Sequence, residues 1–284
     1  MLMSLDGRDV DPARATVSVF DRGFLFGDAI YEVARTVGRR PFHLDAHLDR
    51  LERSGEAIGL DVRPFRGELT REIERLIGRT PGQGELVARV MITRGAAPDL
   101  DMNTVDGAPV RIVWVKPMAA PAPELVKRGM TLMSVEPDAL VGRVSPGVKS
   151  NNRQANVMAH RLARERGYDD GLFVDPAGRV TEGPTWNLFL VARGRLVTPP
   201  LERGILAGIT RSLVLEHARQ LSIPAEEREV LLAEARAADE MFITSTTRGV
   251  MPVGKLDQRA FAPVPGPVTA RLRQALEADY RSGS

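Results

Sequence analysis

Apolar and polar residues alternate along much of the N-terminal part of the chain, and this alternation predicts strands. The stretch ATVSVF within residues 1–20 predicts an opening strand, and a second strand is predicted over Ala29–Val37. Between them, Asp21-Arg22-Gly23 is typical of a turn. The stretches GELVARVMITRGAA and RIVWVKP predict two further strands. The opening part of the chain is therefore rich in strands.

Apolar residues at helical spacing predict two helices among these strands. The first helix runs to about Ile58, with Asp45 as its capping residue, and the second covers residues 66–77. Strands and helices together predict a small N-terminal α/β domain over residues 1–117.

The predicted strand Ala29–Val37 places Tyr31, Val33 and Arg35 on one face. In a later strand, Arg89 shares its face with Val87 and Met91. A hydroxyl and guanidinium groups around small apolar residues could line a pocket for an anionic substrate. The same pattern is also typical of half-buried strands whose arginines extend to solvent.

Residues 118–123, MAAPAP, predict a short, semi-rigid linker to a larger domain over 124–284. In that domain a strand at MTLMSVE precedes a helix that begins after SPGVKS and stops at Gly167. A strand at GLFVD and a hairpin at NLFLV-ARG-RLVTP follow. A helix starting within GILAGITR, a strand in EMFITSTTRGVMPV that runs into a Thr/Ser-rich turn, and a last helix from about Val268 to Tyr280 complete it.

Composition narrows the classes of protein. The formal net charge is only +2, basic and acidic residues are interleaved, and aromatics make up 5%, which argues against nucleic-acid binding. No apolar run is long enough for a membrane helix, and the N-terminal stretch carries acids early, so a cytoplasmic protein is expected. The absence of cysteine excludes thiolate metal sites, and the four histidines lack metal-ligand spacing, so no metal is expected.

One lysine is a candidate nucleophile. Of 39 basic residues only four are lysines, leaving 35 arginines, and Lys149 stands just before a predicted helix. A lysine reacts as a nucleophile only when a pocket keeps it from being a fully hydrated ammonium, and a solvated loop lysine is the alternative. A predicted helix, strand and turn can return the chain to the same site at Glu182.

Two stretches could bind an anion. Gly208-Ile209-Thr210 opens a predicted helix, and Thr244-Ser245-Thr246-Thr247 follows a predicted strand. Together with Arg50 they suit a phosphate monoester, and neither is a nucleotide-binding glycine motif. Pyridoxal phosphate requires this combination: a lysine for its aldehyde, a carboxylate that keeps its pyridine nitrogen protonated, and a phosphate site.

The motifs FDRGFLFGDAIYEV, HLDRL, KSNNRQANVMA, VTEGPTWNLF, ILAGITR and FITSTTRGVMPV occur in an order that resembles the class IV (fold-type IV) pyridoxal-phosphate aminotransferases, most closely the D-amino-acid aminotransferases. The resemblance covers nearly the whole chain. It implies the fold-type IV architecture, with a small N-terminal α/β domain and a larger cofactor-binding domain. It also implies a homodimer with each site near the subunit interface.

The same resemblance implies roles for individual residues. Lys149 would form the Schiff base with the cofactor, Glu182 would pair with the pyridine nitrogen, and Asn187 would support it. Leu206 would pack against the ring. The phosphate would be held by Arg50, Ile209, Thr210, Ser245 and Thr246. The substrate pocket would be lined by Tyr31, and the strand faces described above add Val33, Arg35 and Arg89.

One stretch departs from the D-amino-acid enzymes, in which an arginine and a histidine two residues apart follow a TRGxxP segment and bind the substrate carboxylate. Here the segment continues as Asp99-Leu100-Asp101, and two acids would repel a carboxylate. Arg35 and Arg89 are the candidate replacements, with Arg143 and Arg153 as further candidates.

The predicted activity is transfer of an amino group from an amino acid, such as D-alanine or D-glutamate, to a 2-oxo acid, either pyruvate or 2-oxoglutarate. The alternatives within the same fold are an (R)-selective amine transaminase, a 4-amino-4-deoxychorismate lyase and a branched-chain L-amino-acid aminotransferase. Asn152-Arg153 resembles the lyase, whereas Tyr31-Glu32-Val33 and the Glu182-Gly183-Pro184 turn argue against it. A basic nucleic-acid-binding module is the alternative outside enzymes.

Overall fold

The computed structural model describes residues 1–98, 100–101, 107–136 and 147–283, and it divides into two compact units. The first unit contains Met1–Ala119 and Val148–Asn152, and the second contains Ala120–Gly147 and Arg153–Ser282. The sequence-based domains 1–117 and 124–284 stay a prediction. In the structure, the segment that carries Lys149 lies with the first unit.

A six-stranded antiparallel sheet forms the centre of the first unit, in the order β2-β1-β6-β5-β3-β4. Its strands are β1 (Leu2–Leu5), β2 (Arg8–Val10), β3 (Ala29–Val37), β4 (Arg40–Pro41), β5 (Leu86–Thr93) and β6 (Val110–Pro117). Its helices are α1 (Arg22–Phe26), α2 (Leu44–Ala57) and α3 (Arg66–Arg79). The strands predicted around β3, β5 and β6 and the helices predicted around α2 and α3 are present.

Alternation along β3, β5 and β6 divides the first sheet into two faces. One face packs against α2 and α3 through a buried core that includes Ile30, Leu51 and Ile73. Cross-strand neighbours point to the same side of a sheet, so the pairing of Val33 with Arg89 places Tyr31 and Arg89 together on the other face. The alternation in the sequence therefore corresponds to the alternation of side chains between the two faces of this sheet.

The segment before β3 differs from the prediction. ATVSVF forms no strand, and the opening strands are β1 and β2 instead. Asp21 begins a helix rather than a turn: its carboxylate accepts from the backbone N–H groups of Gly23 at 2.8 Å and Phe24 at 3.3 Å. Thr93 Oγ1 holds the second carboxylate oxygen at 2.7 Å. A short helix cap anchored to β5 thus replaces the expected strand and turn.

The N-cap of α2 also differs. The cap is His43, in the left-handed region at φ 50°, and Asp45 lies in the first turn rather than at the cap. A carboxylate in the first turn still interacts favourably with the positive end of the helix dipole, which explains why the sequence suggested a helix start here.

The second unit is built on a nine-stranded sheet whose main path is β12-β11-β10-β13-β14-β7-β8, with β9 paired to β10 and β15 to β14. Its strands are β7 (Met130–Val135), β8 (Asp170–Phe173), β9 (Glu182–Gly183), β10 (Trp186–Ala192), β11 (Arg195–Thr198), β12 (Ala225–Glu227), β13 (Glu240–Ser245), β14 (Gly249–Leu256) and β15 (Arg259–Ala260). Its helices are α4 (Pro123–Arg128), α5 (Gln154–Glu165), α6 (Ile209–Gln220), α7 (Leu232–Ala237) and α8 (Pro267–Ser282).

Both faces of the second sheet are buried. One face carries the largest cluster, which includes Leu188 and Ile243. On the opposite face, α6 and α8 cover Phe189 and Phe242, whose rings stack at 5.0 Å, while α5 covers Phe173. Asn187 and Thr244 lie on the face shared with Phe189 and Phe242, because residues two apart in a strand point to the same side. Among the described residues, no helix combines the length and apolar character that crossing a membrane requires.

Candidate active site

The backbone around Lys149 is fixed against the edge of β3. Because β4 pairs only with the far end of β3, the edge near Tyr31 is open to another segment. Tyr31 donates its N–H to the carbonyl of Lys149 at 3.0 Å, and Asn151 donates to the carbonyl of Ala29 at 2.8 Å. Ser54 Oγ on α2 accepts from the N–H of Lys149 at 3.3 Å. Lys149 is therefore held by the first sheet and is not a freely solvated loop lysine.

The side chain of Lys149 lies against the ring of Tyr31. Lys149 Nζ lies 4.7 Å from the centroid of the Tyr31 ring, and Arg89 Cζ lies 4.1 Å from the same centroid. The ring is buried, and its π-system attracts both cations. Val33 and Arg35 lie on the same face of β3, half-buried. The first unit thus brings Lys149 and Arg89 to the ring of Tyr31, while Val33 and Arg35 share its face of β3 and Arg35 Nε donates to the carbonyl of Thr36 at 3.2 Å.

On the opposite face of β3, Glu32 accepts hydrogen bonds from two side chains of α2. Arg50 donates from Nε at 2.6 Å and from Nη2 at 2.8 Å, and His47 Nδ1 lies 2.8 Å from the second oxygen. Burial by itself would raise the pKa of Glu32, but the charge and hydrogen bonds of Arg50 and the bond to His47 hold the pKa far below its ordinary value. Burial lowers the pKa of His47, which favours the uncharged imidazole.

In the second unit, Glu182 stands at the start of a short strand pair. Its Oε2 accepts from the backbone N–H of Leu206 at 3.0 Å and from Asn187 Nδ2 at 3.2 Å. Asn187 also donates to the carbonyl of Leu206 at 2.9 Å. Since Glu182 pairs with Asn187, and Asn187 with Thr244, these three residues form a row across β9, β10 and β13. The row fixes the carboxylate in position.

Helix α6 begins beside this row and can bind an anion. Gly208 is its N-cap, no side chain caps the helix, and a Cβ at Gly208 would overlap Asn187 Oδ1. The first turn of a helix leaves its N–H groups without partners inside the helix, and they carry partial positive charge. Ile209 and the buried Thr210 supply that first turn. Backbone amides and hydroxyls in this arrangement suit a phosphate group.

Hydroxyl groups at the end of β13 lie near the same row. Thr244 is buried, and its Oγ1 has no hydrogen-bond partner among the described residues. Ser245 and Thr246 follow, both half-buried, and Ser245 Oγ accepts from the N–H of Arg248 at 3.3 Å. A buried hydroxyl without a partner is costly unless a bound group satisfies it.

Comparison with known proteins identifies the family. The sequence model described as amino-transferase class IV matches residues 29–256 of this chain.

This chain belongs to the class IV aminotransferases.

Similar sequences include a putative branched-chain-amino-acid aminotransferase of Methanocaldococcus jannaschii, 33% identical over 98% of this chain and 96% of that protein. A D-alanine aminotransferase of Bacillus licheniformis is 32% identical over 98% of this chain and 96% of that protein. Both relatives span almost the whole of this class IV aminotransferase.

Solved structures show the same fold. A branched-chain aminotransferase from Thermoproteus uzoniensis superposes with a TM-score of 0.90 at 29% identity, covering 99% of this chain and 95% of that one. A 4-amino-4-deoxychorismate lyase from Pseudomonas aeruginosa superposes with a TM-score of 0.83 at 31% identity, covering 99% and 100%. The predicted fold-type IV architecture and the predicted family are confirmed.

The enzyme is a pyridoxal-phosphate-dependent aminotransferase, and its side chains fit that cofactor. Within the first unit, Lys149 is a fixed amine next to a tyrosine ring. Within the second, the Glu182 carboxylate suits a protonated ring nitrogen, and the start of α6 with the unpartnered hydroxyl of Thr244 suits a phosphate. The cofactor predicted from the sequence is confirmed.

Sequence reasoning missed three residues of these groups. Glu32 and His47 were not connected with Arg50, although a three-residue step on one helix places His47 and Arg50 on one side. Thr244 was noted only as part of a hydroxyl-rich turn. Arg153, a candidate for carboxylate binding, donates to the carbonyl of Pro184. Asp99 and Arg143 lie outside the described residues.

Proposed function

We propose that this class IV aminotransferase moves an amino group from a D-amino acid, such as D-alanine or D-glutamate, to pyruvate or 2-oxoglutarate. The fixed position of Lys149 against Tyr31, on a face that also bears Arg35 and Arg89, supports transfer from an amino acid with an α-carboxylate, and the resemblance to the D-amino-acid enzymes is the ground for the D form. An amine and two guanidinium groups on one face supply a nucleophile together with positive charge for carboxylates.

Lys149 is the proposed catalytic residue. When bound, pyridoxal phosphate supplies an aldehyde carbon for an amine and a ring that withdraws electrons from the carbon bearing the amino group. Lys149 would hold the aldehyde carbon through Nζ until the donor's amine replaces it there. The released Nζ amine would then take a proton from the donor's amino-bearing carbon and give it to the carbon that came from the aldehyde. The backbone hydrogen bonds to Tyr31 and Ser54 limit the positions that Nζ can reach, which favours proton transfer at one atom.

The cofactor-binding roles follow the family resemblance. Glu182 would accept a hydrogen bond from the protonated ring nitrogen, Asn187 would keep the carboxylate in place, and Leu206 would pack against the ring. The phosphate would be bound by Ile209, Thr210, Ser245 and Thr246, together with Arg50, whose Nε and Nη2 donate to Glu32 in the structure. The hydrogen bonds that Leu206 and Asn187 donate to Glu182 support this assignment, because they fix the orientation of the carboxylate.

Arg35 and Arg89 are proposed to bind the substrate carboxylate. The stretch that contains Asp101 cannot, since two carboxylates repel. Arg89 is half-buried above the ring of Tyr31, so its guanidinium is partly desolvated and binds a carboxylate more strongly than a surface arginine does. Tyr31 and Val33 would line the rest of the pocket.

A homodimer is part of the proposal. Five apolar side chains in the segment around α1 are exposed, and Phe24 is the most exposed at 68%; the others are Val17, Val19, Phe20 and Leu25. Asp21 anchors this segment to β5, so the apolar surface is presented in a fixed shape that suits contact with a second copy. Analytical ultracentrifugation of Phe24→Glu should then show dissociation. A monomeric wild-type protein would contradict the dimer.

Branched-chain L-amino-acid transfer is the second candidate activity. The names of the relatives support it, since one is a putative branched-chain aminotransferase and the other a D-alanine aminotransferase at nearly the same identity. An arginine on the same face as Tyr31 would serve either donor, because both carry an α-carboxylate.

The test is a donor screen with cofactor-loaded protein. D-Alanine, D-glutamate, L-leucine and (R)-1-phenylethylamine are each paired with pyruvate and with 2-oxoglutarate. We expect turnover of a D-amino acid to exceed that of L-leucine by about tenfold or more. Lys149→Ala should abolish turnover. Lys255→Ala is the control and should retain turnover, because the Lys255 amine lies near a different ring, 5.5 Å from the centroid of Tyr168.

Each other outcome of the screen has a definite meaning. Turnover of L-leucine alone would replace the proposed donor with a branched-chain amino acid. Turnover of the amine alone would indicate an amine transaminase. No transfer from any donor, with release of pyruvate in a separate assay that supplies 4-amino-4-deoxychorismate alone, would indicate a lyase. Full activity of Lys149→Ala would contradict the role of the lysine.

A further inference from the structure

Helix α5 carries a polar stripe that contacts the turn following Glu182. The stripe consists of Arg153, immediately before the helix, with Asn156 and His160 within it, at spacings that place all three on one side. Ala159 and Ala163, three and seven residues after Asn156, border this stripe and pack into an apolar cluster. Polar side chains on a half-buried helix require hydrogen-bond partners, and two such partners are present.

The first partner is the carbonyl of Pro184. Asn156 Nδ2 donates to this oxygen at 2.9 Å, and Arg153 Nη2 donates to the same oxygen. A carbonyl has two lone pairs, so the two donors can be accepted together. Proline has a restricted φ, so fixing the Pro184 carbonyl also restricts the backbone of the residues just before it.

The second partner is Asp170. His160 Nδ1 lies 3.0 Å from one oxygen of this buried carboxylate, and Trp186 Nε1 donates to the other at 2.8 Å. The Trp186 ring packs so closely on Gly183 that a Cβ there would overlap it. Helix α5 therefore supports the turn at two points, through Pro184 and, by way of Asp170 and Trp186, through Gly183.

We propose that the polar stripe of α5 is a positioning device for Glu182. This inference rests on the proposed role of Glu182 toward the cofactor ring nitrogen. Arg153 and Asn156 hold the carbonyl two residues after Glu182, so they set the direction from which the carboxylate approaches its ligand. They are positioning residues and act through Glu182.

The test is a double-mutant cycle on cofactor affinity. Arg153→Ala/Asn156→Ala removes two hydrogen bonds, and we expect the dissociation constant of pyridoxal phosphate from the apoprotein to rise about tenfold. In a Glu182→Gln background the same change should alter the constant less than about twofold. The single variant Arg153→Lys keeps a donor and the charge, so it should retain most of the wild-type affinity for pyridoxal phosphate.

Control variants separate positioning from general damage to the fold. Arg161→Ala alters an exposed ion pair on the same helix and should leave the constant unchanged. Hydrogen–deuterium exchange of the apoprotein adds a readout without cofactor. Asn156→Asp, which turns the donor into a carboxylate facing the carbonyl, should speed exchange at Trp186 and Asn187, while Arg161→Ala should not.

Two outcomes would overturn the proposal, and they differ from each other. An equal loss of affinity in the wild-type and Glu182→Gln backgrounds would mean that the stripe acts on the fold and not through Glu182. No effect of Glu182→Gln itself on cofactor affinity would remove the proposed role of the carboxylate, and with it the reason for positioning it.

Discussion

Glu32→Gln should destabilise the first unit by about 3 kcal/mol. The carboxylate of Glu32 is 2% exposed and Arg50 is 5% exposed, and two hydrogen bonds of 2.6 and 2.8 Å join them. Removing one partner of a buried ion pair costs roughly 3–5 kcal/mol, because the remaining charge stays buried without compensation. Glutamine keeps one acceptor oxygen, so the lower end of that range applies.

The chain offers a clean reporter for this measurement. Of its two tryptophans, Trp114 lies in β6 of the first unit and Trp186 in β10 of the second. In a Trp186→Phe background, urea unfolding followed by fluorescence therefore reports the first unit. Glu68→Gln is the matched control: its partner Arg111 is 2.9 Å away, but its side chain is 51% exposed, so we expect a loss below about 1 kcal/mol.

The pH dependence gives the same prediction a second test. The folded state holds the pKa of Glu32 below its ordinary value of 4.5, so the stabilisation is present above that pH and is lost as pH falls below it. The difference between wild type and Glu32→Gln should shrink accordingly. A loss below about 1 kcal/mol at neutral pH, or a gain in stability, would refute the view that the pair outweighs its desolvation.

Three further predictions concern stability. Burial holds the pKa of His47 below 6.5, so only the unfolded chain gains a proton as pH falls through 6.5, and the free energy of unfolding falls with it. His47→Gln should reduce this pH dependence, which urea unfolding at about pH 7.5 and 5.5 measures. Glu240 accepts from the N–H groups of Val268 at 3.0 Å and Thr269 at 2.8 Å, so Glu240→Ala should cost about 1–3 kcal/mol, measured by Trp186 fluorescence in a Trp114→Phe background. Glu72 is 5% exposed, and its oxygens have no hydrogen-bond partner among the described residues, so Glu72→Met should stabilise the first unit by about 1–3 kcal/mol; an unchanged or lower urea midpoint would contradict this.

Strand and helix periodicity allowed much of the fold to be predicted. β3 was predicted with its observed bounds because its alternation continues for nine residues and both faces have a distinct character. The segment before it was predicted wrongly, because ATVSVF has strand-like alternation but no neighbouring strand to pair with. A capping aspartate followed by a short helix was the better interpretation of Asp21.

Side-chain partners could be predicted only in part. Alternation placed Tyr31, Arg35 and Arg89 on corresponding faces, since that depends on local geometry alone. The contacts of Arg50 with Glu32, and of Arg153 with Pro184, depend on how helices pack on sheets, which periodicity does not specify. The pairing of the Lys149 segment with β3 joins positions far apart in the chain, and no local signal predicts it.

The central claim is that Lys149 is the lysine that holds the cofactor. Borohydride reduction of the cofactor-loaded protein makes such a linkage permanent, and proteolysis with mass spectrometry then identifies the modified peptide. We predict a reduced pyridoxyl group on Lys149 and none on Lys116, Lys127 or Lys255, the other lysines of the chain. A pyridoxyl group on one of those three, or no modified lysine in protein that retains its cofactor, would contradict the account.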